Sequence, residues 1–341
     1  MMERYSRQIL FNPIGEKGQQ LLGEKHVLII GVGTLGTLSS EALSRAGVGK
    51  ITLVDRDYIE WSNLQRQQLF TEADAKNRIP KAIAAAKRLR EINSEIEIVE
   101  HIADVTPEEI ETLLVGNDVD LILDATDNFD IRMIINDAAQ KFQVPWIYGS
   151  CVGSYGMSYT VIPNETPCLH CLIENIPVGG ATCDTAGIIH PTASQVVVHQ
   201  TAEALKILTN NEEALRGKLI SFDVWENQVF EMGVQSIKKA DCPSCGDNAT
   251  YPFLEYDQQT KSAVLCGREA VQIRPPQQQE RNLPKIAERL EKLGGKVEIN
   301  EFLLSFSVGE ERLVLFTDGR ALIHGTNDME KARTLYYRYF S

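Results

Sequence analysis

Residues 28–66 read LIIGVGTLGTLSSEALSRAGVGKITLVDRDYIEWSNLQR, and this stretch decides the fold. An apolar run ends at Gly31, and further glycines stand at Gly33 and Gly36. Thr34–Ala46 then carries apolar residues at helical spacing, and Ile51–Asp55 is a second short apolar run ending in acid. The pattern is strand, glycine turn, helix, strand. The glycines permit a tight turn, and the helix N-terminus offers free N–H groups to a phosphate. Asp55 stands where a carboxylate reaches a ribose hydroxyl. A nucleotide site is expected; the plainer alternative is a turn that only packs helix on strand. The cluster Ser62-Asn63-Leu64-Gln65-Arg66 has no place in a hydride-transfer fold but suits phosphate chemistry.

Outward from that unit, His26–Gly31 and Asp120–Asp124 read as buried strands and Ile96–His101 as an edge strand. Pro80–Ile92 is rich in helix formers. Alternating strands and helices predict a parallel, Rossmann-like sheet. From Pro145 the sequence alternates aromatic, small and apolar residues broken by glycine, which predicts antiparallel strands. Pro191–Thr209 is a long helix, and Lys218–Phe222 and Gln228–Gln235 are strands. Residues 1–250 form this first domain. Residues 251–341 are expected to be a small α+β domain, with helices at Leu283–Leu293 and Asp328–Phe340 and four strands between them. Arg274-Pro275-Pro276 and the glutamines after it resemble an exposed connector. The fold class is α/β, a parallel sheet continued by antiparallel strands, plus the α+β tail.

A net charge of −13 argues against non-specific binding to nucleic acid or to a membrane surface. An acidic chain that binds a nucleotide must gather its cations locally. The N-terminus shows no signal-peptide pattern and no run reaches membrane-spanning length, so a cytoplasmic protein is expected. Seven cysteines include two Cys-x-x-Cys pairs, Cys168/Cys171 and Cys242/Cys245. Four thiolates suit a closed tetrahedral zinc site, and a redox pair at Cys168/Cys171 is the alternative. His170 reads as a bystander. Cys183 lies in a segment of glycines and small residues; an exposed thiol there can attack an activated carboxylate or exchange with a persulfide donor. Cys151 reads as core filler, and Cys266 as a structural cysteine.

Attack on an α-phosphate needs cations against the developing charge and a carboxylate for magnesium. Arg66, Lys81 and Asp127 are those residue types. Singly, each has a bland reading, as a solvated charge or, for Asp127-Asn128, a helix cap. Together, Arg4-Tyr5-Ser6-Arg7-Gln8, Gly31-x-Gly33-x-x-Gly36, Asp55-x-Asp57, Ser62-Asn63-Leu64-x-Arg66-Gln67, Lys81 and Asp124-x-Thr126-Asp127-Asn128 resemble the ThiF/MoeB family, bacterial relatives of ubiquitin-activating enzymes. The resemblance covers about residues 1–250; with the tail included, the chain looks most like the ThiF of Bacillus-type bacteria.

The resemblance implies adenylylation of the Gly-Gly carboxylate of a ubiquitin-like sulfur carrier protein, with ATP and Mg2+ as cofactors and pyrophosphate released. It implies Asp55 on the ribose, Asn63 and Arg66 on phosphates, Lys81 at the α-phosphate and Asp127 on magnesium, with Gly31, Gly33, Gly36, Asp57 and Asn128 completing the nucleotide site. It implies Zn2+ on Cys168, Cys171, Cys242 and Cys245. Arg7 matches an arginine that enters the neighbouring subunit's site, so a homodimer is implied. Cys183 aligns with a cysteine that bonds to the carrier in ThiF relatives and is dispensable for adenylylation in MoeB relatives, so a covalent role and mere presence both stay open for it. The carrier expected is ThiS-like (thiamine thiazole); a MoaD-like carrier (molybdopterin) is the alternative within the family. An NAD-dependent dehydrogenase explains Gly31–Asp55 but leaves Asn63, Arg66, Lys81 and both cysteine pairs idle. Tyr148, Tyr155 and Tyr159 mark a strand surface that either receives an extended Gly-Gly tail or serves an ordinary sheet.

Overall fold

Four strands of unbroken or nearly unbroken burial set the architecture of the first unit. The computed structural model describes residues 2–173, 186–255, 262–264, 270–274, 281–309 and 311–340. The chain divides into two compact units, Met1–Asp257 and Gln258–Ser341.

In the first unit, β1 (His26–Ile30) is buried at every residue, because its only polar side chain, His26, is satisfied by Asn117 O and Thr52 Oγ1 at 2.8 Å each. It pairs in parallel with β2 (Lys50–Val54) on one side and β4 (Leu121–Asp124) on the other. The order is β3-β2-β1-β4-β5-β6-β7-β8, with β3 (Glu97–His101) at one edge, as its mixed pattern predicts. β5 (Trp146–Val152) completes the parallel part, and β6 (Tyr155–Val161), β7 (Lys218–Asp223) and β8 (Gln228–Gly233) continue it antiparallel. The chain leaves β1 toward β2 and later returns to β4 on the opposite side. The carboxyl ends of β1, β2 and β4 therefore meet at a topological switch point, the place where such sheets bind ligands.

The helices follow from local signals. α1 (Met2–Ile9) and α2 (Gly15–Glu24) precede the sheet, and α3 (Thr34–Ala46) opens directly after the glycine turn. α3 stops at Gly47, whose φ of +86° few other residues adopt and whose missing Cβ leaves room for the Tyr5 ring. α4 (Glu72–Lys76) begins with a Thr71–Asp74 capping box and α5 (Lys81–Ile92) follows Pro80. α6 (Pro107–Leu114) is capped by Thr106 and α7 (Phe129–Phe142) by Asn128. α8 (Leu169–Leu172) is one turn, and α9 (His190–Leu208) is the long helix expected from Pro191. Two apolar clusters fill the sheet's faces, one around Val27, Ile29, Leu53 and Leu121, the other around Leu28, Ile30, Ile122 and Trp146. Each fully buried aliphatic side chain contributes about 1.5–3 kcal/mol.

Among its described residues, the second unit is a six-stranded antiparallel sheet, ordered β11-β12-β13-β14-β10-β9, with two helices. β9 (Ser262–Val264) and β10 (Ala270–Ile273) precede α10 (Leu283–Glu291), then come β11 (Lys296–Ile299), β12 (Leu303–Val308), β13 (Glu311–Phe316), β14 (Ala321–His324) and α11 (Met329–Phe340). The α+β expectation holds, but β9 and β10 were not expected. The expected connector at Arg274-Pro275-Pro276 follows β10, and residues 275–280 lie outside the described residues.

Two smaller expectations need correction. Tyr148 and Tyr159 are buried, and β5 and β6 are hydrogen-bonded on both sides, so neither strand has an edge for an incoming tail. The outer strand of the antiparallel part is β8, exposed at all six residues, including Val229, Phe230 and Met232. Cys151 is only partly buried, packed against the core rather than within it. Cys183 and Cys266 lie outside the described residues.

Candidate functional site

The glycine turn is built by contact rather than by flexibility alone. Gly31 has φ +92°, and a Cβ there would meet Ala125 O at 2.5 Å, which locks the end of β1 against the end of β4. A Cβ at Gly36 would meet Gly31 O at 2.0 Å. Gly33 differs: its φ is −82°, and the nearest atom to its absent Cβ is Gln67 Nε2 at 3.8 Å. Gly31 and Gly36 make the turn possible, and Gly33 leaves space above the N-terminus of α3. No side chain caps that helix. Such an end is an anion site.

Asp55 braces the turn. Its Oδ2 accepts from Val32 N–H at 2.6 Å and its Oδ1 from Asp57 N–H at 2.7 Å. Burial raises its carboxyl above the ordinary value, while Lys81 pulls it down. Lys81 is 4% exposed, and its Nζ bonds Asp57 Oδ2 at 3.2 Å. The backbone makes the same link, Lys81 N–H donating to Asp57 O at 2.9 Å. A helix-start lysine is thus folded back over the end of β2 rather than solvated. Arg56 pairs with Asp104 at 3.2 Å. Burial lowers the Arg56 pKa, but Asp104, Asp57, Asp127 and Asp55 together hold it above the usual arginine value. Asp55, Arg56, Asp57, Lys81, Asp104 and Asp127 therefore share one electrostatic neighbourhood.

Asp127 is exposed, on the loop after β4. That loop is fixed by Arg132, a residue the motif reading did not single out. Arg132 Nε meets the fully buried Asp124 Oδ2 at 3.0 Å, and Nη2 donates to Thr126 O at 2.7 Å and Gly149 O at 3.0 Å. Asp124 Oδ1 accepts from both Thr126 N–H and Thr126 Oγ1–H. Asn128 caps α7, accepting from Asp130 and Ile131 N–H, so the bland reading accounts for its oxygen.

Asn63 ends a 3-10 turn, is 2% exposed, and its Oδ1 accepts from Glu60 N–H at 2.9 Å. Arg66 is part-exposed, with Nη1 on Ser62 O at 2.9 Å. Gln67, quoted in the motif without a role, carries this segment to the glycine turn through its approach to Gly33. Trp61 is 59% exposed, so it does not wall a buried pocket. At the N-terminus, Tyr5 and Gln8 pin α1 to Asn93 and Ala46 O, while Arg7 is exposed.

The cysteine pairs, 70 residues apart in sequence, meet. Sγ–Sγ distances are 3.7 Å for Cys168–Cys242, 4.0 Å for Cys168–Cys171 and 3.6 Å for Cys171–Cys245. These exceed a disulfide and match the edges of a ZnS4 tetrahedron, about 3.8 Å for Zn–S bonds near 2.3 Å. The four thiols fit zinc, and His170 is not among them; its Nδ1 meets Ser244 Oγ at 2.9 Å. Gly246 closes the second turn, where a Cβ would strike Ala240 O at 2.4 Å. Asn136 and Asp137 of α7 accept from Leu169 and Phe253 N–H, tying both sides of the cluster to one helix.

The family model described as ThiF family matches residues 5–244. The chain is 52% identical over 339 residues to the sulfur carrier protein ThiS adenylyltransferase of Bacillus subtilis (strain 168), covering 99% of each. It is 33% identical over 275 residues to the sulfur carrier protein adenylyltransferase of Thermus thermophilus, covering 78% of this chain and 97% of that one. Among solved structures, E. coli MccB aligns with a TM-score of 0.62 and 22% identity over 73% of this chain and 74% of that chain, a likeness of fold. The chain belongs to the ThiF family.

Proposed function

We propose that this chain adenylylates the C-terminal carboxylate of a ThiS-type sulfur carrier protein with ATP. The observation that carries the reading is the identity with the Bacillus subtilis ThiS adenylyltransferase, over 99% of both chains. The site geometry supports it. Gly31, Gly33 and Gly36 cradle the phosphates at the start of α3, and Asp55 and Asp57 face the ribose side. Asn63, Arg66 and Lys81 receive phosphate charge, with Asn128 beside them.

A carrier carboxylate oxygen attacks the α-phosphorus, and the bond to the bridging oxygen of the β-phosphate breaks. Pyrophosphate leaves and an acyl-adenylate remains. The carboxylate is already ionised at neutral pH, so no side chain need remove a proton. Lys81 leaves Asp57 for the α-phosphate as negative charge builds there. Positioning and charge neutralisation supply the rate. Asp127 would hold Mg2+, which neutralises the departing pyrophosphate. Arg7, outward on α1, would reach the site of a second copy in a homodimer. Cys168, Cys171, Cys242 and Cys245 would hold Zn2+ in a structural site, and the cytoplasm, where thiols stay reduced, is the compartment such a site suits. Cys183 is proposed as the residue that meets the activated carrier or a persulfide donor. Residues 1–250 carry the chemistry and residues 251–341 form an accessory domain.

The test is ATP, magnesium and a panel of Gly-Gly-ending carriers, followed by labelled pyrophosphate entering ATP. Exchange with a ThiS-type carrier is the expected result. Exchange only with a MoaD-type carrier would move the chain to molybdopterin synthesis, and tight NAD binding without exchange would overturn the reading.

A further inference from the structure

We propose that His170, Ser244 and Asp137 form a hydrogen-bonded latch between the two Cys-x-x-Cys turns, and that this latch sets how slowly zinc is released. It deepens the proposed zinc site and rests on it, independently of the adenylylation chemistry.

The two turns meet at equivalent positions. His170 is the third residue of Cys168-x-x-Cys171, and Ser244 is the third of Cys242-x-x-Cys245. They stand 74 residues apart in sequence, yet His170 Nδ1 and Ser244 Oγ lie 2.9 Å apart. Ser244 and Asp137 are both fully buried. The Ser244 hydroxyl also bonds the Asp137 carboxylate, which accepts in addition from Phe253 N–H at 2.9 Å and from Asn136 Nδ2–H at 3.2 Å. A hydroxyl has one proton, and a carboxylate only accepts. Asp137 takes that proton, so Ser244 Oγ is left as the acceptor for His170, and His170 Nδ1 carries the proton that joins the two turns. The imidazole stands edge-on to Phe253 with ring centroids 5.9 Å apart, and Phe253 is itself tied to Asp137. The chain of contacts closes on itself, from Asp137 through Ser244, His170 and Phe253 back to Asp137.

Packing alone does not call for this polarity. Asp137 is a buried acid that the proposed reaction does not use, and such a group is costly unless it is hydrogen-bonded. Its donors lie within the second cysteine turn, at Ser244, and just after it, at Phe253; through Ser244 it reaches the first turn. Each pair of thiolates sits on its own turn, so a metal held by all four leaves only when one turn parts from the other. The sulfur atoms oppose that parting by bonding the metal, and His170 and Ser244 oppose it by bonding each other. His170 is therefore a bystander to the metal but not to the site. Hydrogen-bonding groups just outside a ligand set shift metal affinity by about 10–100-fold.

The experiment uses the zinc-loaded full chain as wild type, His170→Phe, His170→Asn and Ser244→Ala. An excess of a chromogenic chelator gives the rate of zinc release, and a thermal scan gives the midpoint. His170→Phe keeps a ring against Phe253 and removes the Nδ1–H donor. It is expected to release zinc about 10-fold faster than wild type, with a midpoint within about 3 °C. His170→Asn puts an amide N–H where Nδ1–H stands and is expected to hold release within about twofold of wild type. Ser244→Ala should release zinc at least as fast as His170→Phe, and the double variant no faster than Ser244→Ala, because both changes break one link. Wild-type release rates in His170→Phe and Ser244→Ala would overturn the inference while leaving the zinc site standing. So would equally fast release in His170→Phe and His170→Asn with a lowered midpoint in both, which marks a packing residue. Wild-type protein that holds no zinc would instead remove the metal site, and this inference with it.

Discussion

Replacing Arg132 by methionine should damage stability and the site together. The guanidinium makes an ion pair with Asp124 at 3.0 Å and donates to Thr126 O and Gly149 O, and it lies 5.1 Å from the Tyr148 ring centroid. Burial lowers its pKa, but Asp124, Tyr148 and Asp127 more than offset that and hold it above the usual arginine value. Methionine fills much of the volume and removes the charge. The carboxylate of Asp124, a residue at 0% exposure, then keeps only its bonds from Thr126 among the described residues. Breaking a buried pair by deleting one partner costs about 3–5 kcal/mol. The two carbonyl bonds belong to the same network, so their loss does not add in full. Urea unfolding of the full chain, read on the transition of the first unit, should show that loss. Arg132→Met/Asp124→Asn should recover part of it, because no buried charge is then left unpaired. Asp127 and Asn128 follow this loop directly, so pyrophosphate exchange should fall at least tenfold at temperatures where Arg132→Met is folded. A loss below about 1 kcal/mol would refute the reasoning, since it would mean the pair is not desolvated as described.

Gly36→Ala should fail to fold stably, because its Cβ would sit 2.0 Å from Gly31 O, whereas Gly33→Ala should keep a near-wild-type melting point and lose ATP affinity. Thermal scans with and without ATP separate the two, and equal behaviour would contradict the division of labour in the turn. Freshly purified protein should contain about one zinc per chain by elemental analysis, and Cys168→Ser should lower both zinc content and melting temperature; wild-type metal content in that variant would contradict the site. Burial lowers the His26 pKa below its ordinary 6.5, so the folded state prefers the neutral ring. That contribution is present above pH 6.5 and is lost as the pH falls toward the folded-state value. His26→Gln should therefore lose less stability than wild type between pH 7.5 and about pH 5.5, and parallel denaturation curves would refute this.

How much of this was legible from the sequence varied with the physics of each part. β1, β2 and β4 were plain because strands covered on both faces are written as unbroken apolar runs. The glycine turn was plain because backbone contacts at Gly31 and Gly36 exclude every side chain. Asp55 was placed correctly at the end of its strand, but its two backbone partners were not visible. Arg132 and Gln67 were passed over because burial converts an ordinary helix charge and an ordinary turn amide into fixed groups, and burial depends on β5 and on the glycine turn, which are distant in sequence. The cysteine pairs were recognisable locally, but their meeting depends on α7 holding both through Asn136 and Asp137. β9 and β10 were missed because their runs are short and flanked by turn-forming residues.

The most direct test is carrier-dependent exchange of labelled pyrophosphate into ATP by wild type, Lys81→Ala and Asp127→Ala, each checked for folding. Exchange by wild type only when a ThiS-type carrier is present, with none in either folded variant, is the result predicted. Undiminished exchange in both variants would contradict the account.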